Sequence, residues 1–411
     1  MTRNEQMAKN SPIIINSTIK TGLDFFIQSA DKYSGVYRNI GLISNSRAID
    51  KSGECNFIAL KKAGFNIKAI FTPEHGYFAN IRDGEYIKND IHPEYETPIY
   101  SLFTEGHLEN AVTKNANGLD LLIFDIQDCG VRFYTYIHAL GLAIEGAEKS
   151  GLPIFVLDRP NPVGCTILEG PSGEDDYISE LCPYKIPVRY GLTIGELARL
   201  IAKKYYPAAN LKVFPVVNYD PAKTFSETRL IWPKPSPAMV SPETSLFYPG
   251  TCFFEGTNLS EGRGTDAPFR TIGAPFVNGA EVCEKINELL NDERFRGISV
   301  SAVSFKPLSS KYEGIECGGI LLDSSNYKIH SFAFGISLVK IFHDLYKDKF
   351  TFLFSEKSRK FFFDRLAGTA VIRKLIMDGT VSDILDMHKL WEISHSDFNS
   401  NSKSFFLYHR E

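Results

Sequence analysis

Glu74 and His75 stand side by side after the apolar run Ala69-Ile70-Phe71, with Pro73 before them and Gly76 behind. Proline fixes the backbone ahead of the acid, and glycine permits a tight turn after it. A carboxylic acid held partly desolvated at such a rim suits proton donation. The plainer reading is a loop glutamate that caps a helix or pairs with a lysine. Asp125, Gln127 and Asp128 follow a second apolar run at spacing i, i+2, i+3. They suit a polar grip on a ligand, with one carboxylate as acid, base or orienter, or a turn in which one aspartate binds Arg132. Together with His75 or His138 they also sketch a divalent-cation pattern. That pattern is weak because no second histidine stands at ligand spacing, so neither a metal nor a cofactor is expected. Arg132 carries a planar fork that can grip a carboxylate with two parallel bonds. On a helix Tyr134 and Tyr136 point about 200° apart, so one of them belongs to the core unless the segment is still a loop.

A third apolar run ends in Asp158-Arg159-Pro160-Asn161-Pro162. Its prolines stiffen a turn, its Asp158 and Arg159 suit a local ion pair, and ligand contact through Arg159 or Asn161 is the competing reading. The stretch 255–265 packs glycines, small hydroxyl residues and charges together, including Glu255, Asn258, Glu261 and Arg263. It lacks the pattern of a phosphate loop. A Glu261–Arg263 pair is the modest interpretation, and a binding loop facing the first half of the chain is the sharper one. Glu196 completes a Thr-x-x-Glu capping box with Thr193 and is assigned to a helix start.

These polar clusters need strands to place them. Strands are expected over 39–44, 67–72, 98–103, 119–126, 154–157 and 211–217, with helices over 57–64, 108–116, 134–149 and 194–206 between them. Residues 76–97 read as a long loop, 160–190 as an ordered excursion, and residues before about 20 as a loose leader. This alternation makes an α/β fold with a doubly wound sheet. Ligands of such sheets bind beyond the carboxyl ends of the strands, where all three clusters stand. The second half changes character. Residues 232–276 hold many prolines and glycines, followed by a helix over 279–290, strands over 298–305 and 318–323, and helices over 332–346, 369–378 and 381–393. We read a smaller α+β domain there, dividing the chain into 20–230 and 231–411, with the boundary between 218 and 245.

The 411 residues carry a net charge of −4 with no basic block, which argues against a phosphate-binding footprint and so against a nucleic-acid partner. No apolar run reaches the length of a membrane span, and Ile13-Ile14-Ile15 is too short for an export signal. The 7 cysteines have irregular spacing and suit a reducing compartment. A cytoplasmic location is therefore expected, with a periplasmic or secreted one as the alternative. Oligomeric state is not legible.

An ordered series of segments resembles the NamZ-type exo-β-N-acetylmuramidases, a bacterial glycoside hydrolase family. The segments are GLISN (41–45), FTPEHG (71–76), YSLF (100–103), FDIQDCGVRFYTY (124–136) and VLDRPNP (156–162), then EGP (169–171), GLTIGELA (191–198) and PSPAM (235–239), and finally YPG (248–250), EGTNLSEGRGT (255–265) and PFRTIGAP (268–275). The resemblance implies a Rossmann-like domain, a smaller C-terminal domain and an active site in the cleft between them. It implies release of N-acetylmuramic acid from the non-reducing end of peptidoglycan-derived glycans. Glu74 becomes the leading catalytic carboxylate, with Asp125, Asp128, Glu255 or Glu261 as the second group, unless the 2-acetamido group of the sugar assists its own departure. His75, Gln127, Arg132, Tyr134, Arg159, Asn161, Asn258, Glu261 and Arg263 would shape the sugar site. Arg132 or Arg263 would hold the lactyl carboxylate. After FTPEHG the family usually continues with glycine-rich sequence containing Arg and Asp, whereas this chain departs over 77–85, beginning with Tyr77 and Phe78, and the two aromatics would alter the leaving-group side of the site. Two other readings compete: a metal-assisted phosphoryl or ester hydrolase using Asp125, Asp128 and His75, and a muropeptide-binding protein without turnover.

Overall fold

The computed structural model describes residues 17–82, 84–85, 87–103 and 110–410. Most of the expected leader, the start of the helix expected at 108, and Asp83 within the 77–85 departure lie outside them. Seven strands form the main sheet: β1 (Asn39–Ile43), β2 (Asn66–Thr72), β3 (Asp90–Ile91), β4 (Pro98–Ser101), β5 (Leu121–Phe124), β6 (Ile154–Leu157) and β7 (Leu211–Phe214). Their order is β3-β4-β2-β1-β5-β6-β7. All neighbours pair in parallel except β3, which lies antiparallel on β4. β3 is the strand missed in the long loop; two exposed residues carry no alternation to read. β5 and β6 are uninterrupted apolar runs buried along their whole length, as expected of strands covered on both faces.

Helices cover both faces. One is packed by α1 (Gly22–Ile27) and α3 (Asn56–Lys62), after the short α2 (Asp31–Ser34), in a cluster that includes Phe26, Phe57, Leu42, Ile123 and Phe155. The other carries α4 (Ala111–Lys114), α5 (Tyr136–Ser150) and α6 (Ile194–Tyr205) against Phe71, Phe124 and Val156. α5 ends at Gly151 in the left-handed conformation, and α6 opens on the Thr193–Glu196 capping box. Glu196 is thus a cap, and it also pairs with Arg410 and accepts from Leu407 N.

In the second half a three-stranded antiparallel sheet has the order β8 (Thr271–Ala274), β10 (Cys317–Ser324), β9 (Ile298–Phe305). Its helices follow the short α7 (Phe225–Thr228): α8 (Pro242–Thr251), α9 (Gly279–Leu289) and α10 (Ser331–Leu345). A hairpin of β11 (Phe354–Ser355) and β12 (Lys360–Phe361) then leads into α11 (Phe362–Ala367). The sequence did not reveal α8, β8, α11 or the helix Glu392–Ser402. α8 contains Pro249 and Gly250, signals of a loop, but proline also stands at its N-terminus and Ser241 caps it. The helix survives because it is buried: Gly250 packs so closely on α10 that a Cβ there would lie 2.8 Å from the Gly335 Cα.

A single apolar cluster joins the α5 side of the sheet to the second half. Phe133 meets Tyr248 and Phe253 at ring distances of 5.5 and 5.6 Å. The chain end also returns to α6, where Arg199 donates to the carbonyls of Phe405 and Phe406.

Candidate active site

At the end of β2 the chain turns through His75 (φ 74°) and Gly76 (φ 73°). A left-handed residue with a Cβ is uncommon and marks a place that the surroundings enforce. Here Ile81 enforces it: its N–H donates to the His75 carbonyl at 3.1 Å, and its own carbonyl meets His75 Nδ1 at 3.0 Å. The turn leaves the half-buried Glu74 carboxylate facing a cavity of about 560 Å³, within the range of small-molecule sites. Thr135 Oγ1 donates to Glu74 Oε2 at 2.6 Å, and Gly84 N donates to Oε1 at 3.3 Å. One carboxylate is therefore aimed by two donors from different segments.

Tyr134, Phe133, Tyr248 and Phe269 give the cavity an aromatic wall, and Glu255 with Arg263 gives it a charged one. Tyr134 and Tyr136 pack ring to ring at 4.6 Å because Tyr134 precedes the helix rather than lying on it. Tyr136 does not line the cavity and donates to Pro235 O at 2.6 Å. Arg263 reaches Glu255 through Nη2 and Glu261 Oε1 through Nε at 3.1 Å, while its guanidinium lies over Phe269. Lys311 adds an ion pair to Glu261 at 2.9 Å. Burial opposes charge on Glu261, but Lys311 and Arg263 outweigh it and hold the carboxyl below its ordinary value. A second cavity of about 670 Å³, lined by Glu261, Lys311 and Arg82, shares Glu255, Arg263 and Phe362 with the first.

The structure thus gathers Glu74, His75, Tyr134, Glu255 and Arg263 around one space, with Glu261 beside it. The other expected site residues lie elsewhere, held by the fold. Asp125 is fully buried in a two-bond pair with Arg159 (2.6 and 2.9 Å) and accepts from Asn56 at 2.8 Å. Arg159 also donates to Ile49 O, so its expected partner Asp158 is replaced by Asp125. Asp158 instead accepts from Thr193 and Gly195. Gln127 donates to Asp128 O and Pro160 O. Asn161 donates to Leu192 O and accepts from Val163 N, and Asn258 exchanges bonds with Lys349 and Thr351. Tyr77 and Phe78, the aromatics that open the 77–85 departure, pack with His92 and do not line the cavity, whereas Gly84 and Glu85 of the same stretch do.

Arg132 is the clearest correction. Its guanidinium is fully buried and donates to Pro171 O, Ile186 O, Leu366 O and Ala367 O. Its fork is spent on tying the 160–190 excursion and α11 together, and Arg132 is not among the residues that line the cavity. Asp125, Asp128 and His75 likewise meet different partners, and among the described residues no group of three or more His, Cys, Asp or Glu is placed to hold a metal ion.

Asp128 is buried beside Tyr190, which donates to it, and accepts from Gly130 N at 2.7 Å. Burial is the dominant influence and lifts its carboxyl from 3.8 to about 6. A carboxyl so raised contributes most to stability below its unfolded value and loses that contribution as pH climbs through about 6. Asp128→Asn is therefore expected to flatten the decline of stability between pH 4 and 7 by at most roughly 3 kcal/mol. Urea midpoints across that range check it, and parallel profiles for variant and wild type would refute it.

Thr135, Ser236, Phe269, Lys357 and Arg365 are lining residues that the sequence reading did not single out. Thr135 lay within a quoted segment, but a hydroxyl carries no spacing signal. The last two come from the hairpin and α11.

Residues 40–243 match the N-terminal region of exo-β-N-acetylmuramidase NamZ, and residues 246–408 match its C-terminal region. The chain belongs to the NamZ family. It is 37% identical over 409 residues to the peptidoglycan β-N-acetylmuramidase NamZ of Bacillus subtilis, covering 98% of this chain and 95% of that protein. Two crystal structures of DUF1343 family proteins from Bacteroides fragilis share the fold. One has a TM-score of 0.83 at 27% identity, over 95% of this chain and 99% of its own. The other has 0.71 at 26%, over 96% and 100%. The N-terminal NamZ region supplies Glu74, Tyr134 and Thr135 to the cavity, and the C-terminal region supplies Glu255, Arg263 and Arg365.

Proposed function

We propose that this protein is a glycoside hydrolase that releases N-acetylmuramic acid from the non-reducing end of peptidoglycan-derived glycans. The observation that carries the reading is Glu74, held by Thr135 and Gly84 on the wall of a cavity in a chain of the NamZ family. On this reading the first half is a Rossmann-like, doubly wound unit, and the cleft between it and the smaller C-terminal unit is the active site. Glu74 protonates the leaving glycosidic oxygen. Thr135 and Gly84 hold the carboxyl in one orientation, so that the proton meets the oxygen without a search. The aromatic wall takes the faces of the sugar ring and excludes water.

Glycoside hydrolysis needs a second group opposite the acid. We assign it to Glu255, which shares the cavity with Glu74, whereas Asp125 and Asp128 do not line it. Glu255→Gln is expected to lower kcat on the muramide about 100-fold while leaving the thermal midpoint near wild type. A kcat within threefold of wild type would return the role to the 2-acetamido group of the sugar.

The direct test is p-nitrophenol release from the β-N-acetylmuramide and the β-N-acetylglucosaminide, with and without chelator. Selective release from the muramide that chelator leaves intact supports the reading. Loss on chelation points to a metal-assisted hydrolase, and tight muropeptide binding without release points to a binding protein.

A further inference from the structure

We infer that Lys357 reads the lactyl carboxylate of the terminal sugar, an assignment that rests on the proposed muramic acid substrate. That carboxylate distinguishes N-acetylmuramic acid from N-acetylglucosamine, so selectivity asks for a cation at the cavity. Among the described residues, the cationic side chains on its lining are Arg263, Arg365 and Lys357. Arg263 already spans Glu255 and Glu261, and Arg365 is paired with Glu180. Recruiting either one would break an ion pair that the fold already makes. Lys357 is exposed and, among the described residues, makes no ion pair.

Its place in the chain suits the task. Lys357 stands in the turn between β11 and β12, where Ser358 N donates to Ser355 Oγ at 3.3 Å. The base of the hairpin is anchored. Lys360 lies over the Tyr177 ring at 4.5 Å and donates to Asp176 O, and Arg373 stacks on Phe361 at 3.9 Å. A fixed turn thus carries a flexible four-carbon stem with a compact charge at its end. Such a group can follow a carboxylate on a rotatable ether better than a planar fork can. The structure gives Arg132 to architecture and leaves this lysine for recognition.

The test pairs binding with kinetics on the full chain. Calorimetric titration with free N-acetylmuramic acid and N-acetylglucosamine is run on wild type, Lys357→Met and Lys357→Arg, together with hydrolysis of both p-nitrophenyl glycosides. Wild type is expected to prefer muramic acid. Lys357→Met is expected to weaken that affinity and raise KM for the muramide about tenfold, the scale of one partly exposed charge-assisted contact. Its kcat should change less than twofold, glucosamine binding should stay the same, and Lys357→Arg should retain most of the preference. A wild type without the preference, or a Met variant that weakens both sugars alike or neither, overturns the assignment. If wild type hydrolyses neither glycoside, the glycosidase reading fails on its own, and the binding comparison still decides Lys357.

Discussion

Glu74→Gln is expected to cut kcat/KM about 10²- to 10⁴-fold on a disaccharide in which N-acetylmuramic acid is joined to N-acetylglucosamine, the usual value of a positioned proton donor. The loss should be smaller on the p-nitrophenyl glycoside. A sugar hydroxyl is a poor leaving group and needs the proton, whereas p-nitrophenolate departs with little help. The structural ground is the single orientation imposed on Glu74 by Thr135 Oγ1 at 2.6 Å and Gly84 N at 3.3 Å. Glutamine keeps the shape and one acceptor oxygen but has no acidic proton. Steady-state kinetics on the two substrates would decide the matter. Equal losses on both would make Glu74 something other than the acid, and no loss on either would remove it from the chemistry.

The second large effect concerns stability rather than catalysis. Arg132→Met is expected to destabilise the fold by about 3–5 kcal/mol, the scale for leaving several buried carbonyls without their charged donor. The carbonyls of Pro171, Ile186, Leu366 and Ala367 would each lose a charged donor in a dry interior. With an unfolding entropy of roughly 2.1 cal/mol/K per residue, this corresponds to a thermal midpoint lower by about 3–6 °C. Arg132→Lys should rescue little of it, because an ammonium cannot serve oxygens on opposite sides of a planar fork. Differential scanning calorimetry reads the shift. Activity on muramide and glucosaminide should fall in proportion, through loss of folded protein. An unchanged midpoint with a selective loss on the muramide would return Arg132 to substrate recognition.

Much was already legible from the sequence. The strands β5 and β6 were visible because a doubly covered sheet demands unbroken apolar runs, β1 and β2 because each ends in an apolar run, and the end of β2 identified the turn that carries Glu74. The capping box of α6 was visible because its signal is local. Ordered motifs placed the chain in its family. Elements stabilised from outside themselves were not legible: α8 keeps a proline and a glycine inside a helix because α10 closes over it, and β3 exists because β4 offers an edge.

The division of labour among the polar residues was decided by tertiary structure alone. Local sequence identifies which residues are charged, and it placed Asp125, Asp128, Arg132 and Arg159 at strand ends as readily as Glu74. It does not say which charge will find a partner from elsewhere in the chain. Asp125 meets Arg159, Arg132 meets carbonyls beyond residue 360, and Glu74 meets Thr135. A buried charge must be satisfied by whatever the fold brings to it. Asp125, Arg132 and Arg159 found their partners away from the cavity, whereas Glu74 and Arg263 have partners and still line it.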